Sequence, residues 1–279
     1  MNKVAVIILN YRIKELILKC IESVKKSTYK NLDIIIVDNS PEEGLGELVD
    51  NNIQYLPNRN TGYTGGNNLG IKKALESSPD FIFILNPDTI IDKDAIKYLV
   101  ETLEDENAGI VGPKILFSDK KTIWYAGGIF DTANVIGKHK GVDELDNEQY
   151  EKLEETNYVT GAAMFVSKEV FQKIGFFDEK YFLYYEDSDF SKRAKEAGFK
   201  VLYQPKAMVY HENAQSTGLG SPLQDYFITR NRMLYASKFL PFRTRFALFR
   251  EALRNLDKPM RRLALWDYLT GNFGRGNFK

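Results

Sequence analysis

The sequence predicts an α/β fold in which a mostly parallel, doubly wound central sheet is flanked by helices and followed by a helical C-terminal extension. Short apolar runs rich in β-branched residues, typical of strands buried on both faces, occupy residues 4–9, 34–37 and 81–85. Segments with apolar side chains three and four residues apart lie between these runs, which implies right-handed strand–helix–strand crossovers. Helical spacing near the end of the chain predicts the extension.

Each helix predicted in the first half presents one apolar face. The first carries Ile13, Ile17, Cys20, Ile21 and Val24 at helical spacing. The second is expected around residues 71–75 and the third around residues 96–103. Asp92 and Asp94 come just before the third helix, where negative side chains suit the positive end of the helix dipole.

The middle of the chain is less regular. Glycines in residues 124–141 indicate turns or a hairpin, and the acidic residues 143–156 favour a mobile loop or a short helix. Residues 162–166 form another apolar run typical of a strand. Residues 187–197 predict a helix that ends at Gly198.

The C-terminal part of the chain differs from the rest in charge. Residues 230–279 carry 12 basic and 3 acidic side chains, whereas the remainder carries 26 basic and 35 acidic ones. Phe242, Phe246, Phe249 and Leu253 recur at helical spacing, and Pro241 and Pro259 divide this part into segments. We therefore expect a body of residues 1–222, with halves of about 1–115 and 116–222, and a basic helical extension of residues 223–279.

Composition argues against a disulfide-bonded, a membrane-spanning and a nucleic-acid-binding protein. The one cysteine cannot form an internal disulfide, and no apolar run approaches the roughly 18 residues that a signal or spanning segment requires. We expect a cytoplasmic protein, with peripheral contact at the cytoplasmic membrane face as an option for the basic extension. Nucleic-acid binding is not expected, because the basic residues do not form a recognised module.

Polar side chains follow each predicted strand of the first half. Asn10 and Arg12 follow the first, Asp38 the second, and Asn86 and Asp88 the third. Ligands of open α/β sheets bind beyond the carboxyl ends of the strands, so these side chains mark a candidate site. A carboxylate such as Asp88 can hold a divalent cation against a leaving diphosphate, although a carboxylate after a strand is also a common turn former.

Residues 60–70 form a segment rich in glycine and asparagine that opens into a helix. Gly62 lets the backbone approach a ligand closely, and Asn60 and Asn67 offer donors and acceptors. The alternative is a plain flexible loop. The segment matches neither the dinucleotide-binding glycine pattern nor a phosphate-binding P-loop, which argues against hydride transfer and P-loop chemistry.

Three carboxylates lie within four residues at the start of the helix predicted at 187–197. Crowded carboxylates raise one another's pKa, so Glu186 or Asp187 suits a general base, whereas Asp189 suits a capping or structural role. The neighbouring Tyr185 can stack on a sugar face. His211, after a strand-like stretch, either completes a metal shell or is a structural histidine.

These motifs, in this order, resemble the family 2 glycosyltransferases, which have the GT-A fold. The residues that carry the resemblance are 4–12, 37–40, 60–70, 86–88 and 185–198. Residues 124–141 and the ending at 271–276 look like the subgroup of bacterial rhamnosyltransferases and galactofuranosyltransferases. Two departures stand out, because Asn86 replaces the first aspartate of the metal motif and Arg12 replaces a common asparagine.

The resemblance implies a role for each matching residue. It implies a donor pocket lined by Asn10, Arg12, Asp38, Asn60, Gly62, Asn67 and Asn86. It also implies Mn²⁺ or Mg²⁺ on Asp88 and His211, and Asp187 as general base. Acceptor contacts fall to the remaining three candidates, Trp124, Tyr185 and Glu186.

The expected function is transfer of a sugar, with inversion, from a dTDP- or UDP-sugar to a glycan or lipid-linked acceptor in cell-surface polysaccharide synthesis. Rhamnose is one candidate sugar. The alternatives are a sugar-1-phosphate nucleotidyltransferase and a non-catalytic carbohydrate-binding protein. The first should carry a basic, glycine-rich loop after the first strand, where residues 10–13 read Asn-Tyr-Arg-Ile. The extension either contacts membrane or packs on the body or on a second subunit of a homodimer.

Overall fold

The computed structural model describes residues 1–50, 52–212 and 220–278. The strands are β1 (Val4–Asn10), β2 (Leu32–Asp38), β3 (Gln54–Pro57), β4 (Phe81–Leu85), β5 (Thr89–Ile91), β6 (Ile110–Phe117), β7 (Ile123–Tyr125), β8 (Gly128–Asp131), β9 (Ile136–His139), β10 (Glu154–Glu155), β11 (Ala163–Ser167) and β12 (Val201–His211). The helices are α1 (Lys14–Lys25), α2 (Gly62–Leu75), α3 (Ala95–Glu106), α4 (Lys168–Ile174), α5 (Glu186–Glu196), α6 (Pro222–Phe239), α7 (Phe242–Arg254) and α8 (Pro259–Thr270). Two short 3-10 turns, Pro41–Glu43 and Leu45–Leu48, follow β2.

The first half of the sheet is parallel, in the order β3-β2-β1-β4. All seven residues of β1 are buried, because α1 and α3 cover one face of the sheet and α2, α4 and α5 cover the other. The three apolar runs of the sequence are β1, β2 and β4, so the α/β class with a helix-flanked central sheet is confirmed.

The second half of the sheet is mixed. β11 lies between β4 and β6 and is antiparallel to both, and β6 then pairs in parallel with β12. The end of β12 also pairs with the short β5, which places His211 opposite Thr89. This pairing joins the turn after β4 to the end of β12, and it builds one part of the site described below.

The glycine-rich segment is mostly helical, not a loop that leads into a helix. α2 begins at Gly62. A Cβ atom at Gly70 would lie 2.5 Å from Ile7 Cγ2, so this glycine lets α2 pack directly on β1. In residues 143–156 the expectation of a short helix is wrong, because the segment is irregular apart from the two residues of β10. The predicted hairpin is β8–β9, and the helix predicted at 187–197 is α5.

The C-terminal part forms α6, α7 and α8, with Pro241 before α7 and Pro259 as the first residue of α8, as the sequence predicts. Met233 and Leu234 of α6 pack with Leu248 of α7 and Leu265 of α8 in a separate apolar cluster. None of the helices within the described ranges is both long and apolar enough to cross a membrane. The boundary at residue 222 stays a prediction.

Candidate active site

Asn10 and Asp38 lie side by side at the carboxyl ends of β1 and β2. Asn86 and Asp88 follow the end of β4, which is the other neighbour of β1. The structure therefore gathers these four predicted site residues at one edge of the parallel half of the sheet.

Asp38 is fully buried and both of its carboxylate oxygens accept hydrogen bonds. Oδ1 accepts from Asn10 Nδ2 at 2.9 Å, and from the backbone N–H and hydroxyl of Ser40 at 3.0 and 3.2 Å. Oδ2 accepts from the Tyr55 hydroxyl at 2.6 Å. Burial, together with this bond, raises the pKa of Tyr55. Tyr55, which lies on β3, gave no sequence signal as a site residue.

Asn10 and Arg12 have different surroundings. The Asn10 side chain is buried, and its Oδ1 has no hydrogen-bond partner among the described residues. Arg12 adopts a left-handed backbone conformation (φ 59°), and its N–H donates to the Ser40 hydroxyl at 2.9 Å. Its guanidinium is exposed and lies over the Tyr11 ring, 5.2 Å from the centroid. Arg12 thus belongs to the rim of the site and Asn10 to its interior.

Gly62, in the first turn of α2, brings the glycine-rich segment of residues 60–70 into contact with Phe182. Its φ is +77°, and a Cβ atom there would lie 2.6 Å from the Phe182 carbonyl oxygen. Its N–H donates to Asn60 Oδ1 at 3.0 Å, so Asn60 forms an Asx turn just before α2. Asn67 is buried; its Nδ2 donates to the Tyr63 carbonyl at 3.0 Å. Its Oδ1 has no partner in the described part of the chain.

Asp88 and His211 are brought together by the β5–β12 pairing. The Glu212 N–H donates to the Asp88 carbonyl at 2.8 Å. His211 Nε2 lies 3.8 Å from Asp88 Oδ1, which is longer than a hydrogen bond. Both side chains are buried, and burial lowers the pKa of His211, which keeps the imidazole neutral and able to act as a ligand.

These two side chains fit a divalent cation that takes its remaining ligands from substrate oxygens and water. Carboxylate oxygen and neutral imidazole are both ligands of Mn²⁺-type ions. Within residues 1–50, 52–212 and 220–278 there is no group of three or more metal-binding side chains, so the protein alone would not complete a coordination shell. Asn86, the departure from the metal motif, donates its backbone N–H to the Ala162 carbonyl at 2.9 Å and accepts from the Thr89 hydroxyl at 2.6 Å.

Trp124, predicted to contact the acceptor, packs against His211. Their ring centroids are 4.7 Å apart with an interplanar angle of 30°. His139, to which the sequence assigned no role, packs edge-on against the other side of this arrangement, 4.3 Å from Trp124, and its Nδ1 lies 3.0 Å from the Trp124 carbonyl oxygen. Burial lowers the pKa of His139 to about 4, so its ring is neutral. Trp124 therefore holds the His211 ring in place.

The first turn of α5 carries Glu186 and Asp187. Asp187 is half-buried and accepts from the N–H groups of Ser188 at 2.6 Å and Gly161 at 3.2 Å. Burial raises the pKa of Asp187, and these two bonds limit the rise. Glu186 is 5% exposed, and its Oε2 has no partner among the described residues. Burial and the charge of Asp187 raise the pKa of Glu186 well above its ordinary value.

Asp189 has a structural environment, as the sequence suggested. It is fully buried and accepts from Arg193 Nε at 2.6 Å, from the Tyr181 hydroxyl at 3.0 Å, and from Lys238 of α6. The ion pair with Lys238 connects α5 to the C-terminal helices.

The two residues before β11 link the first turn of α5, which carries Asp187, to the turn after β4, which carries Asn86 and Asp88. Gly161 donates to Asp187, and the next residue, Ala162, accepts from the Asn86 N–H. The Tyr63 hydroxyl of α2 donates to the Gly161 carbonyl at 2.6 Å. The turn after β4, the first turn of α5 and the first turn of α2 therefore converge on residues 161–162.

The segment before α5 has unusual backbone geometry. Phe182, Tyr184 and Tyr185 all have positive φ angles, of 65°, 68° and 72°. Such conformations are uncommon for residues other than glycine and cluster at functional sites. The Tyr185 hydroxyl donates to the Val135 carbonyl at 2.7 Å, which fixes its ring between the β8–β9 hairpin and α5. Sequence pattern does not reveal this segment, because no glycine marks it.

Comparisons with known proteins concern the family and the fold of the chain. The family model described as "Glycosyltransferase like family 2" matches residues 2–236. The low-salt glycan biosynthesis hexosyltransferase Agl10 of Haloferax volcanii is 27% identical over 246 residues, which cover 84% of this chain and 75% of that protein. The N-acetylglucosaminyl-diphospho-decaprenol L-rhamnosyltransferase of Mycobacterium tuberculosis is 26% identical over 226 residues, covering 70% and 71%.

A solved structure, that of GalNAc-T7 with UDP, GalNAc and Mn²⁺, superposes with a TM-score of 0.62 at 18% identity. The match covers 76% of this chain and 43% of that one, so this chain spans less than half of that protein. At this identity the likeness concerns the fold, which is the GT-A fold.

Proposed function

The chain belongs to glycosyltransferase family 2, and on that premise we propose that it is an inverting, metal-dependent enzyme. The proposed reaction moves a sugar from a dTDP- or UDP-sugar, with rhamnose as one candidate, to a glycan or lipid-linked acceptor in cell-surface polysaccharide synthesis. One observation carries the proposal most strongly. Residues 161–162 join the turn that bears Asp88 to a carboxyl group of raised pKa, Asp187.

Asp187 is the proposed general base. A base must be ionised, yet hold a pKa close enough to neutrality to accept a proton. Two backbone N–H groups stabilise the Asp187 anion, whereas burial and the Asp187 charge favour the protonated form of Glu186. Asp187 therefore takes the proton of the acceptor hydroxyl, whose oxygen attacks the anomeric carbon. One displacement without a covalent sugar–enzyme intermediate inverts the configuration.

Asp88 and His211 are the proposed metal-holding side chains, and Mn²⁺ or Mg²⁺ bound there would neutralise charge on the departing nucleoside diphosphate. The protein itself positions the Asp88 and His211 side chains. Backbone hydrogen bonds around the β5–β12 pairing hold both residues, and Trp124 packs against the His211 ring.

The proposed donor pocket lies between β1, β2 and the start of α2. Asn10 and Asn67 each present a buried amide oxygen that the described protein groups leave without a partner, and each can accept from the donor. Asp38, Asn60 and Gly62 shape this pocket through the contacts described above, while Asn86 and the exposed Arg12 border it. Trp124, Tyr185 and Glu186 remain the proposed acceptor contacts.

Ligand-induced thermal stabilisation tests the donor and metal sites together. We expect UDP or dTDP to raise Tm only when Mn²⁺ or Mg²⁺ is present, with GDP and CDP as comparisons. Saturation at about 100 times Kd corresponds to roughly 2.7 kcal/mol. Asp88→Asn should abolish the metal-dependent part of the shift. No shift with any nucleotide would contradict the proposal.

The products separate the proposed reaction from its rivals. With donor, acceptor and metal, a transferase releases nucleoside diphosphate as glycoside forms. Consumption of a sugar 1-phosphate with release of pyrophosphate would instead identify a nucleotidyltransferase. Binding without turnover would identify a carbohydrate-binding protein.

We also propose that α7 and α8 contact an anionic membrane, which suits a lipid-linked acceptor such as the one named for the mycobacterial relative. Leu248 and Ala252 of α7 face inward. Phe242 (72% exposed), Phe246 (50%) and Trp266 of α8 (61%) face solvent, and the neighbouring exposed basic residues are Arg243, Arg245, Arg250, Arg254, Lys258 and Arg262. Basic residues beside apolar side chains favour anionic bilayers.

Sedimentation with vesicles containing phosphatidylserine tests the contact. Changing Arg243, Arg245 and Arg250 together to Glu should lower the bound fraction at least about tenfold. The matched control changes the exposed Lys26, Lys97 and Lys200 to Glu. These residues lie outside the extension, and the two variants have the same net charge. Equal loss in both variants, or unchanged binding in the first, would remove the membrane proposal and favour packing on a second copy of the chain.

A further inference from the structure

Residues 180–185 form a loop that leads directly into the first turn of α5. Three of these residues have left-handed backbone angles, as described above. Few hydrogen bonds within the loop itself account for this shape; one is the Leu183 N–H bond to the Tyr181 carbonyl at 2.8 Å. The conformation must therefore be imposed by groups outside the loop.

Two side chains of α6, Arg230 and Asn231, supply those groups. Asn231 Nδ2 lies 2.9, 2.8 and 2.9 Å from the carbonyl oxygens of Tyr181, Leu183 and Tyr184. Arg230 Nη2 donates to the carbonyls of Lys180 and Tyr181, both at 3.1 Å. These two adjacent side chains thus bind four of the six carbonyls of the loop.

Both side chains are fully buried, which makes the arrangement costly unless every polar group has a partner. Arg230 Nε donates to Asn231 Oδ1 at 3.1 Å, and Arg230 Nη1 donates to the Tyr226 hydroxyl at 3.3 Å. The guanidinium lies 5.0 Å from the Phe227 ring centroid. Arg230 and Asn231 are therefore held in fixed positions, and they hold the loop in turn.

The C-terminal end of the chain completes the support. The N–H of Gly274 donates to the Lys180 carbonyl at 2.9 Å. The Tyr226 hydroxyl donates to the buried Asp267, which also accepts from the Asn277 N–H at 2.8 Å. The loop is thus anchored from α6 and from residues 267–277.

The loop also touches the donor side of the site. The Phe182 carbonyl accepts from the Thr64 N–H at 3.2 Å, and Gly62 packs against the Phe182 ring. Tyr185 caps α5, directly before Glu186 and Asp187. A shift of the loop would therefore move the start of α5 relative to α2.

We propose that Arg230 and Asn231 are positioning residues for the transfer reaction, and that they set the place of Asp187 by holding residues 180–185 in a left-handed conformation. The inference rests on the proposed role of Asp187 as general base. Neither side chain touches substrate. Their loss misplaces the base, while Asn10 and Asp38, the part of the donor pocket on β1 and β2, keep their own hydrogen bonds.

Asn231→Ala tests the inference. A misplaced catalytic group can cost roughly 10²-fold, so we expect kcat to fall about 10- to 100-fold while Kd for the nucleoside diphosphate stays within about threefold. Hydrogen exchange of the amides of residues 181–189 should accelerate in the same variant. Asn231→Ser, which keeps one donor in less space, should show a smaller change of the same kind and serves if the alanine variant does not fold.

Met233→Ala is the matched control, because Met233 is a buried side chain of the same helix whose apolar cluster includes Leu248 and Leu265 as well as Tyr181, and its thioether has no N–H or O–H to donate to the loop carbonyls. It should lower Tm without changing kcat more than about twofold. An equal fall of kcat in both variants would reduce Arg230 and Asn231 to ordinary stabilising residues and overturn the inference. Unchanged kcat in Asn231→Ala would overturn it as well, provided that Asp187→Asn is inactive. No transfer by the wild type would instead overturn the proposed function.

Discussion

Asp38 at the end of β2 and Glu186 at the start of α5 are both buried, yet they differ in the hydrogen bonds that their carboxylate oxygens receive. Asp38 receives hydrogen bonds from Asn10, Ser40 and Tyr55 on both oxygens. Glu186 has one oxygen without a partner among the described residues, and burial raises its pKa. Asp38 thus ties β1, β2 and β3 together through its hydrogen bonds, whereas burial favours the protonated form of Glu186.

The same contrast exists inside α5. Asp189, two residues after Asp187, is matched by Arg193 and Lys238, while the donors that Asp187 receives from the described part of the chain are backbone N–H groups and a hydroxyl. Helical geometry turns Asp189 away from residues 161–162 and toward α6. Three carboxylates that look alike in the sequence therefore differ in their partners, and only Glu186 and Asp187 belong to the proposed reactive pair.

Removing Asp189 tests the structural side of the comparison and has the largest expected effect on stability. Asp189→Ala leaves Arg193 and Lys238 without their shared partner, so the free energy of unfolding should fall by about 3 kcal/mol, the lower end for a broken buried pair because both cations keep some exposure. Denaturant unfolding measures it. Asp178→Ala, which removes a partly exposed partner of the same Lys238, should cost less than about 1 kcal/mol. Equal losses would refute the distinction.

Weakening the compensation of Asp38 should have a smaller effect. Tyr55→Phe removes the hydroxyl that donates to Asp38 Oδ2 and should lower stability by about 1.5–2 kcal/mol, as expected for a hydrogen bond to a charged group. Tyr29→Phe is the control, because the Tyr29 hydroxyl donates to a neutral carbonyl, that of Asn2. It should cost about 1 kcal/mol or less. A larger loss in the control would show that Asp38 does not depend on Tyr55.

Removing the charge of Glu186 should have the smallest effect on stability, and it should raise stability where the two preceding substitutions lower it. Because the folded state raises the pKa of Glu186, folding favours its protonated form, and the wild type loses stability as pH rises from the unfolded-state pKa to the folded-state pKa. Glu186→Gln avoids that loss. We expect Tm to rise by roughly 2–4 °C at pH 8, a shift that about 1 kcal/mol gives at this size, and not at pH 4. A lower Tm at pH 8 would mean that the charged form is stabilised.

The sequence predicted the scaffold well because apolar periodicity decides it. The apolar runs form β1, β2 and β4, and the prolines separate α6, α7 and α8. These patterns leave few alternatives for the secondary structure. The positions of Asn10, Asp38 and Asp88 at one sheet edge followed from strand direction alone.

Other features of the site depend on contacts between residues far apart in the chain. The sequence did not reveal that Tyr55 bonds to Asp38, that His139 supports Trp124, or that α6 binds the loop before α5. The sequence predicts the second helix only around residues 71–75, whereas α2 begins at Gly62, because a helix whose glycines serve close packing on a strand has the same composition as a flexible segment.

Turnover and nucleotide binding by Asp187→Asn test the proposed role of Asp187 as general base. With donor, acceptor and metal present, we expect kcat to fall by about 10²-fold or more, while calorimetry gives a nucleoside diphosphate Kd close to that of the wild type. The product of the wild type should carry the inverted anomeric configuration. Retention of full turnover in Asp187→Asn would contradict the assignment of the base, and with it the division between structural and reactive carboxylates.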